Sequence, residues 1–321
     1  MQLFVTDSPR PFLVRRTLLL QGNEDSCLDL KDVLDCAGLP EPDSRPDTPD
    51  TGRWTIPKFL SLICGRPPES REKIEQALAL LVKEKEQKKN VVKIYPQRSL
   101  DLRKPIEPGS KVIVVGHRAP VSRAQGGMAG KMANGFFKFA SALADPGAEI
   151  RLPDPERSFA ADGVLGVVIG KRAERVPISE SLSCVAGFTL LIDVTDRKAF
   201  EEESRTNNNL LAKNHFQLSP IGPSLCLATE GQFDRGMEIT LRVNGQVRQQ
   251  FSLGDLAYGV EEMVSTFSRL ILEPGDILGL GATIARARPG KILESPVPVK
   301  PGDVLDVESR SIGVLKTEIK G

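Results

Sequence analysis

Aromatic side chains are scarce in this chain. Phe, Trp and Tyr make up 5% of its 321 residues, with one Trp and two Tyr. A groove for single-stranded nucleic acid needs successive aromatic faces on which bases stack, so this scarcity argues against one. An excess of either charge is missing too. Lys and Arg number 43 against 42 Asp and Glu, a formal net charge of +1, which leaves no field to attract a phosphate backbone or an anionic membrane. Long apolar runs are absent. The run Leu18-Leu19-Leu20 behind Arg15-Arg16 is far short of the roughly 18 residues a spanning helix needs, so no membrane role is expected. The five cysteines, Cys27, Cys36, Cys64, Cys184 and Cys226, are odd in number and show no C-x-x-C spacing. They read as reduced thiols of a cytoplasmic protein rather than as a disulfide framework or a zinc site. Neither G-x-x-x-x-G-K-[ST] nor G-x-G-x-x-G stands at a strand-to-helix junction, which disfavours nucleotide-binding folds.

What is present is a soluble globular balance, 40% hydrophobic and 26% charged. Phe12–Leu20 reads as a strand, and Leu28, Leu30, Val33 and Leu34 as a short helix. Four prolines, Pro40, Pro42, Pro46 and Pro49, mark a loop over 40–53, and a short helix is expected at 57–65. The clearest helix is 70–89, with Ser70 as cap and Ile74, Ala77, Leu78, Leu81 and Val82 as its apolar stripe. Val112–Val115 has the composition of a buried strand, and the Gly/Ala/Ser-rich stretch 118–135 that of a loop beside a pocket.

From residue 162 onward short β-rich runs alternate with turns. Examples are Val164–Ile169, Phe188–Val194, Glu238–Val243 and Val304–Val307, with Asn244-Gly245 as a hairpin turn and a helix over 255–271. These elements predict an α+β protein, β-rich, without regular strand–helix alternation. The composition divides it into an N-terminal domain, 1–108, and a larger domain, 109–321.

Several segments, in order, resemble the fumarylacetoacetate hydrolase family. Phe136-Phe137-Lys138-Phe139-Ala140-Ser141 is similar to its Phe-x-Lys-Pro-x-Ser segment. Val185-Ala186-Gly187-Phe188-Thr189, followed by Asp193-Val194-Thr195-Asp196-Arg197, resembles its Ala-Gly-Tyr-Thr and Asp-Val-Ser-Ala-Arg blocks. Lys213 stands ahead of Ser219-Pro220-Ile221-Gly222-Pro223 at the family's lysine-to-Pro-Leu-Gly-Pro spacing, and Lys300-Pro301-Gly302-Asp303 closes the series. The resemblance implies a rolled, mixed β-sheet, a homodimer, and chemistry on small 2-oxo acids or 1,3-dicarbonyls, with Mg²⁺ held by three carboxylates.

That chemistry is simple in outline. Two oxygens of such a substrate chelate one hard cation, which stabilises the enolate as a bond breaks. By the resemblance, Asp193 and Asp162 are the metal ligands, but the third carboxylate position is Val164, so the Mg²⁺ site is weakened. Lys213 is the catalytic cation, and Arg197, Lys138 and Thr283 bind substrate. The family's His and Glu positions are Ser122 and Gln125 here, which leaves His117 and His215 to move protons. The expected function is enolate-stabilising C–C hydrolysis, decarboxylation or hydration. The alternatives are a metal-independent isomerase, hydratase or cyclase, or a non-catalytic binding protein of the same fold.

Overall fold

Two long strands rich in Val, Ile and Leu form the spine of the molecule, because such side chains suit a sheet covered on both faces. The structure is a computed structural model that describes residues 2–7, 16–23, 26–39, 69–86, 94–96, 100–105, 111–116, 134–205, 209–228, 234–256, 258–281, 290 and 292–321. The helix expected at 57–65, the loop at 40–53, the 118–135 stretch up to residue 133, and His117, Ser122, Gln125 and Thr283 lie outside the described residues.

Along the chain run β1 (Gln2–Asp7), β2 (Arg16–Asn23), β3 (Ser26–Asp29), α1 (Leu30–Cys36), α2 (Glu69–Glu86), β4 (Ile94–Pro96), β5 (Val112–Gly116) and β6 (Asn134–Lys138). Next come β7 (Leu143–Ala144), β8 (Ile150–Arg151), β9 (Phe159–Ile169), α3 (Ile178–Ser181), β10 (Val185–Asp196), α4 (Arg197–Ser204), α5 (Leu210–Lys213) and β11 (Ser219–Leu227). The last are β12 (Glu238–Val243), β13 (Gln246–Ser252), α6 (Val260–Phe267), β14 (Ile277–Gly281), β15 (Val297–Val299), β16 (Val304–Ser309) and β17 (Gly313–Lys320).

Ten strands follow one another in the main sheet as β4-β3-β2-β1-β11-β10-β9-β14-β5-β6, while β12, β13, β16, β17 and β8 form a second sheet. The strands of the first hundred residues extend the main sheet through β1, where Leu3 stands opposite Leu225 of β11. The short β7, a few residues after β6, pairs in parallel with β11. That pairing curls the sheet and carries the end of β6 back toward β10. The architecture is the β-rich, rolled mixed sheet that the sequence predicts.

The two faces of the main sheet pack differently. Leu165, Val167, Leu190, Ile192 and Val194 join Leu241, Val307 and Leu315 of the second sheet in one core. Val164, Val168 and Leu191 belong to a second core with Leu34 of α1 and Ile74, Leu78 and Leu81 of α2. Full burial of each such aliphatic contributes about 1.5–3 kcal/mol. No helix among the described residues is long and apolar enough to cross a membrane.

Several boundaries move from their expected places. The Leu28 segment is strand β3, and its helix starts at Leu30. Helix α2 begins at Glu69, so Ser70 lies inside it rather than capping it. The helix expected at 255–271 is regular over Val260–Phe267 alone, with single 3₁₀ turns on either side. The Asn244-Gly245 turn joins β12 to β13 with positive φ at both residues, 53° and 79°, as a tight hairpin requires. The largest difference is in β9 and β10, which run past their apolar stretches through Asp162 and Asp196.

Val164 packs against glycines. A Cβ built on Gly279 would come within 2.9 Å of Val164 Cγ1 and 3.1 Å of Val114 Cγ2, and one on Gly281 within 3.0 Å of Val164 Cγ2. Gly279→Ala should therefore cost about 1–3 kcal/mol through overpacking. Val164→Ala in the same chain should recover most of that loss, and a double-mutant cycle in denaturant unfolding measures the coupling. Additive effects of the two changes would refute the contact.

Candidate functional site

Alternation along β10 sends Ile192 and Val194 into the core beneath the second sheet and turns Asp193 and Thr195 to the opposite face. Asp162 stands directly across the ladder from Asp193, on that same face. The two expected acidic residues are thus cross-strand neighbours, each 3% exposed. They continue, in polar form, the face that Val164 and Leu191 begin.

Two lysines meet Asp193 from different directions. Lys213, the last residue of α5, donates from Nζ to Asp193 Oδ2 at 2.8 Å and to Thr195 Oγ1 at 2.6 Å. Lys138, the last residue of β6, places Nζ 2.8 Å from Asp193 Oδ1 and donates to the backbone oxygen of Lys213 at 2.6 Å. The supports for this arrangement are local. Glu203 of α4 accepts from the backbone N–H of Leu211 and Ala212 at 2.7 and 2.9 Å, which holds the start of α5. Asn214 then ties α5 to the edge strand, accepting from Phe139 N at 2.7 Å and donating to Phe137 O at 2.9 Å.

All three charges are buried, so their mutual attraction is strong, but each also loses hydration. Burial pushes the Asp193 carboxyl upward, yet the ammonium groups of Lys138 and Lys213 outweigh it and hold that carboxyl below the usual carboxylate range. Burial draws the Lys138 ammonium below the usual lysine range, against the pull of Asp193. The Asp162 carboxyl is raised by burial, against hydrogen bonds to Oδ1 from Ser295 Oγ and Gln249 Nε2, each at 2.7 Å. Gln249 is itself fixed, since its Oε1 accepts from Gly163 N at 2.8 Å.

Aromatic rings line the cationic side. Lys213 Nζ lies 4.5 Å from the Phe136 ring centroid and 5.9 Å from that of Phe200. The Arg197 guanidinium stands 5.8 Å from the same Phe200 ring. Arg197 and Lys213 therefore flank one aromatic side chain.

His215 goes elsewhere. Its Nε2 lies 3.1 Å from Oδ2 of Asp196, and its ring meets Phe159 edge-on at 6.4 Å. Asp196 is fully buried, pairs with Arg157 at 2.8 Å and caps α4 through Ala199 N. Asp196 is thus a structural anchor, and His215 belongs to its cluster rather than to that of Asp193. Of the residues proposed from the sequence, Asp162, Asp193, Lys138 and Lys213 come together, Arg197 shares only the Phe200 ring with Lys213, and His215 does not join them. His117 and Thr283 lie outside the described residues. Thr195, Gln249, Ser295, Phe136 and Phe200 went unnoticed as site residues. Thr195 and Phe136 sit inside quoted blocks and could have been found there, whereas nothing local marks Gln249 or Ser295.

The donor set does not fit a divalent cation held by three carboxylates. Val164 fills the third position with a packed apolar group. Both oxygens of Asp193 face ammonium nitrogens. No three His, Cys, Asp or Glu side chains gather as ligands among the described residues.

Replacing Asp193 by Asn would leave two buried ammonium groups without their counter-charge. Asp193→Asn should cost about 3–5 kcal/mol in denaturant unfolding. Because the folded carboxyl lies below its unfolded value, the stability it contributes is complete above the ordinary carboxylate range and is lost as pH falls from that range through the lower folded value. The acid limb of the stability curve should accordingly flatten in Asp193→Asn. An unchanged limb would mean that other carboxylates control acid unfolding.

Comparison with known proteins agrees with this architecture. Residues 113–320 match the family described as fumarylacetoacetate (FAA) hydrolase C-terminal. An uncharacterized protein of Staphylococcus aureus (strain USA300) is 32% identical over 186 residues, covering 57% of this chain and 60% of its own length. This chain thus aligns with less than two thirds of the curated relatives it matches. Maleylpyruvate hydrolase from Sphingobium sp. SYK-6, in complex with manganese(II) and pyruvate, superposes with a TM-score of 0.66 at 21% identity, over 100% of this chain and 99% of that one. The 5-carboxymethyl-2-hydroxymuconate delta-isomerase from Mycobacterium smegmatis does so at 0.63 and 22%, with the same coverage. At these identities the superpositions establish the fold.

Proposed function

The chain belongs to the fumarylacetoacetate hydrolase family, and on that premise we propose that it is an enzyme acting on a small 2-oxo acid or 1,3-dicarbonyl through an enolate. The observation that carries this reading is the convergence of Lys138 and Lys213 on Asp193 beside Asp162. Fixed cations in a water-poor site stabilise negative charge as it develops on a carbonyl oxygen without reorganising at the moment of reaction. In this reading Lys213 faces the developing oxyanion, and Lys138 sets the position of Lys213 and adds its own charge. Arg197, whose guanidinium has no carboxylate partner among the described residues, takes the substrate carboxylate as a forked donor. The proton is carried by His117 or His215, of which His215 is turned toward Asp196 rather than Asp193. Thr283 contacts the substrate.

Hydrolases and isomerases share this fold, so C–C hydrolysis, decarboxylation, hydration and isomerisation are the reactions to test. A metal-dependent form of the reading draws support from the manganese and pyruvate of the Sphingobium hydrolase. It would place Mg²⁺ at Asp162 and Asp193, and it requires both ammonium groups to withdraw from Asp193.

Acylpyruvates and oxaloacetate, assayed with and without Mg²⁺, form the first panel. Turnover is expected, and Lys213→Ala should reduce kcat/KM by about a hundredfold or more, as loss of one oxyanion donor does elsewhere. Arg197→Ala should act mainly on KM. If no member of the panel is turned over, the non-catalytic reading replaces the enzyme.

We also propose a homodimer. Phe137, Phe139, Leu210, Leu211 and Phe216 are exposed around α5 and the edge strand β6, which Asn214 holds together. An apolar patch beside a strand that ends the sheet among the described residues is an association surface by default. Leu211→Glu combined with Phe216→Glu should convert a dimer to a monomer in sedimentation velocity. A wild-type monomer at micromolar concentration would overturn this assignment.

A further inference from the structure

We propose that the paired ammonium groups of Lys138 and Lys213 replace the divalent cation at the enolate oxygen, so that this site binds an enolate-like dianion without metal. The inference rests on the enzyme reading above and specifies its ligand and its charge source.

Three observations on the carboxylates lead to it. Val164, where a third carboxylate would stand, is 1% exposed and lies over Gly279 and Gly281. A longer acidic side chain there would leave the apolar core or bury a charge within it. Asp193 has an ammonium nitrogen 2.8 Å from each of its oxygens, which are the distances of committed charge pairs. Asp162 is oriented by neutral donors, the Gln249 amide and the Ser295 hydroxyl, both on Oδ1. A metal on Asp193 would have to displace the ammonium groups and bring its own charge to a cluster that already holds two buried cations.

The ammonium groups have capacity to spare. Each carries three N–H donors. Lys213 gives one to Asp193 and one to Thr195, and Lys138 gives one to the Lys213 backbone oxygen, its nitrogen lying 2.8 Å from Asp193 Oδ1 without a hydrogen bond to that oxygen. At least one N–H on each nitrogen is thus left uncommitted to oxygen among the described residues. Two cations share one carboxylate, so the Lys138–Asp193–Lys213 group retains a positive charge. Such a pair of donors suits an oxyanion that would otherwise lie on a metal. The ligand class is a small planar anion with adjacent oxygens, the shape of a 2-oxo acid enolate.

Oxalate has that shape and serves as the probe. Full-length protein is stripped with chelator, dialysed and checked for metal content. Oxalate is then titrated by calorimetry without metal, with Mg²⁺ and with Mn²⁺. Binding to the stripped protein is expected, with affinity for free oxalate, after subtraction of the metal–oxalate complex, unchanged by either ion. Lys138→Met and Lys213→Met, which keep the length of the stem, should each weaken it roughly ten- to a hundredfold, the value of a hydrogen bond to a charged group. Should either variant fail to fold, the metal dependence of the wild type decides the question alone. Oxalate binding that appears only with Mg²⁺ or Mn²⁺ overturns the proposal. So does stoichiometric Mn²⁺ uptake, read by electron paramagnetic resonance, that disappears in Asp193→Asn. Oxo-acid turnover with a strict Mg²⁺ requirement would leave the enzyme reading standing and remove this one. Metal-independent oxalate binding without turnover of any oxo acid would do the reverse.

Discussion

A carboxylate caught between two ammonium groups inside a protein is held by a balance of large terms. Removing each ion from water costs several kcal/mol even after the surroundings relax, and direct contact must offset that. Asp193 meets the condition because each of its oxygens has an ammonium nitrogen 2.8 Å away and because Thr195 and the Lys213 backbone take further N–H donors. The geometry of the site follows from this requirement. Lys138 has to arrive from β6 and Lys213 from α5, so the edge strand must curl back to the middle of the sheet. The pairing of β7 with β11 closes that curl, and Asn214 fastens the two approaches to each other.

The main sheet is asymmetric for the same reason. One face is apolar along β9 and β10 where the second sheet covers it. The other begins apolar, at Val168 and Val164, and turns acidic at Asp162. A strand that changes character midway places charge at a fixed distance from a rigid core, which gives a site its precision. The antiparallel ladder adds a second constraint, because Asp162 and Asp193 are opposite each other only in this register and a slip of one strand by one residue would put them on opposite faces.

Much of this was legible from the chain. The resemblance carried by the ordered blocks indicated the rolled sheet and named four of the residues that gather, Asp162, Asp193, Lys138 and Lys213. The local reading failed where polarity misled it. Apolar periodicity ended one strand short of Asp162 and the other at Val194, since a carboxylate looks like a strand end when its partners are unseen. Those partners are far away in sequence: Gln249 lies 87 residues from Asp162, and Lys138 lies 75 from the lysine whose backbone it grips. His215 lies apart from the Asp193 cluster for a related reason. Standing two residues past Lys213, it suggested a shared site, but α5 ends between them, and the ring turns toward buried Asp196 and Phe159. Asp196, three residues from Asp193, leaves the ladder to cap α4, so neighbours in sequence serve separate clusters.

Val164 shows how a packing choice and a chemical choice can be one decision. A carboxylate at that position would need space and polar partners, whereas glycines at 279 and 281 admit a branched apolar side chain at close range. Once valine occupies the position, the face can bury it among Val168, Leu191 and Ile277, gaining about 1.5–3 kcal/mol where a charge would have required compensation. The loss of one negative charge then alters the balance for what remains. Two carboxylates and two lysines are neutral together, while the three charges centred on Asp193 are net positive. A site built this way has its counter-charge already in place on the chain, and the anion it accommodates best is one that brings its own two oxygens and asks for hydrogen-bond donors.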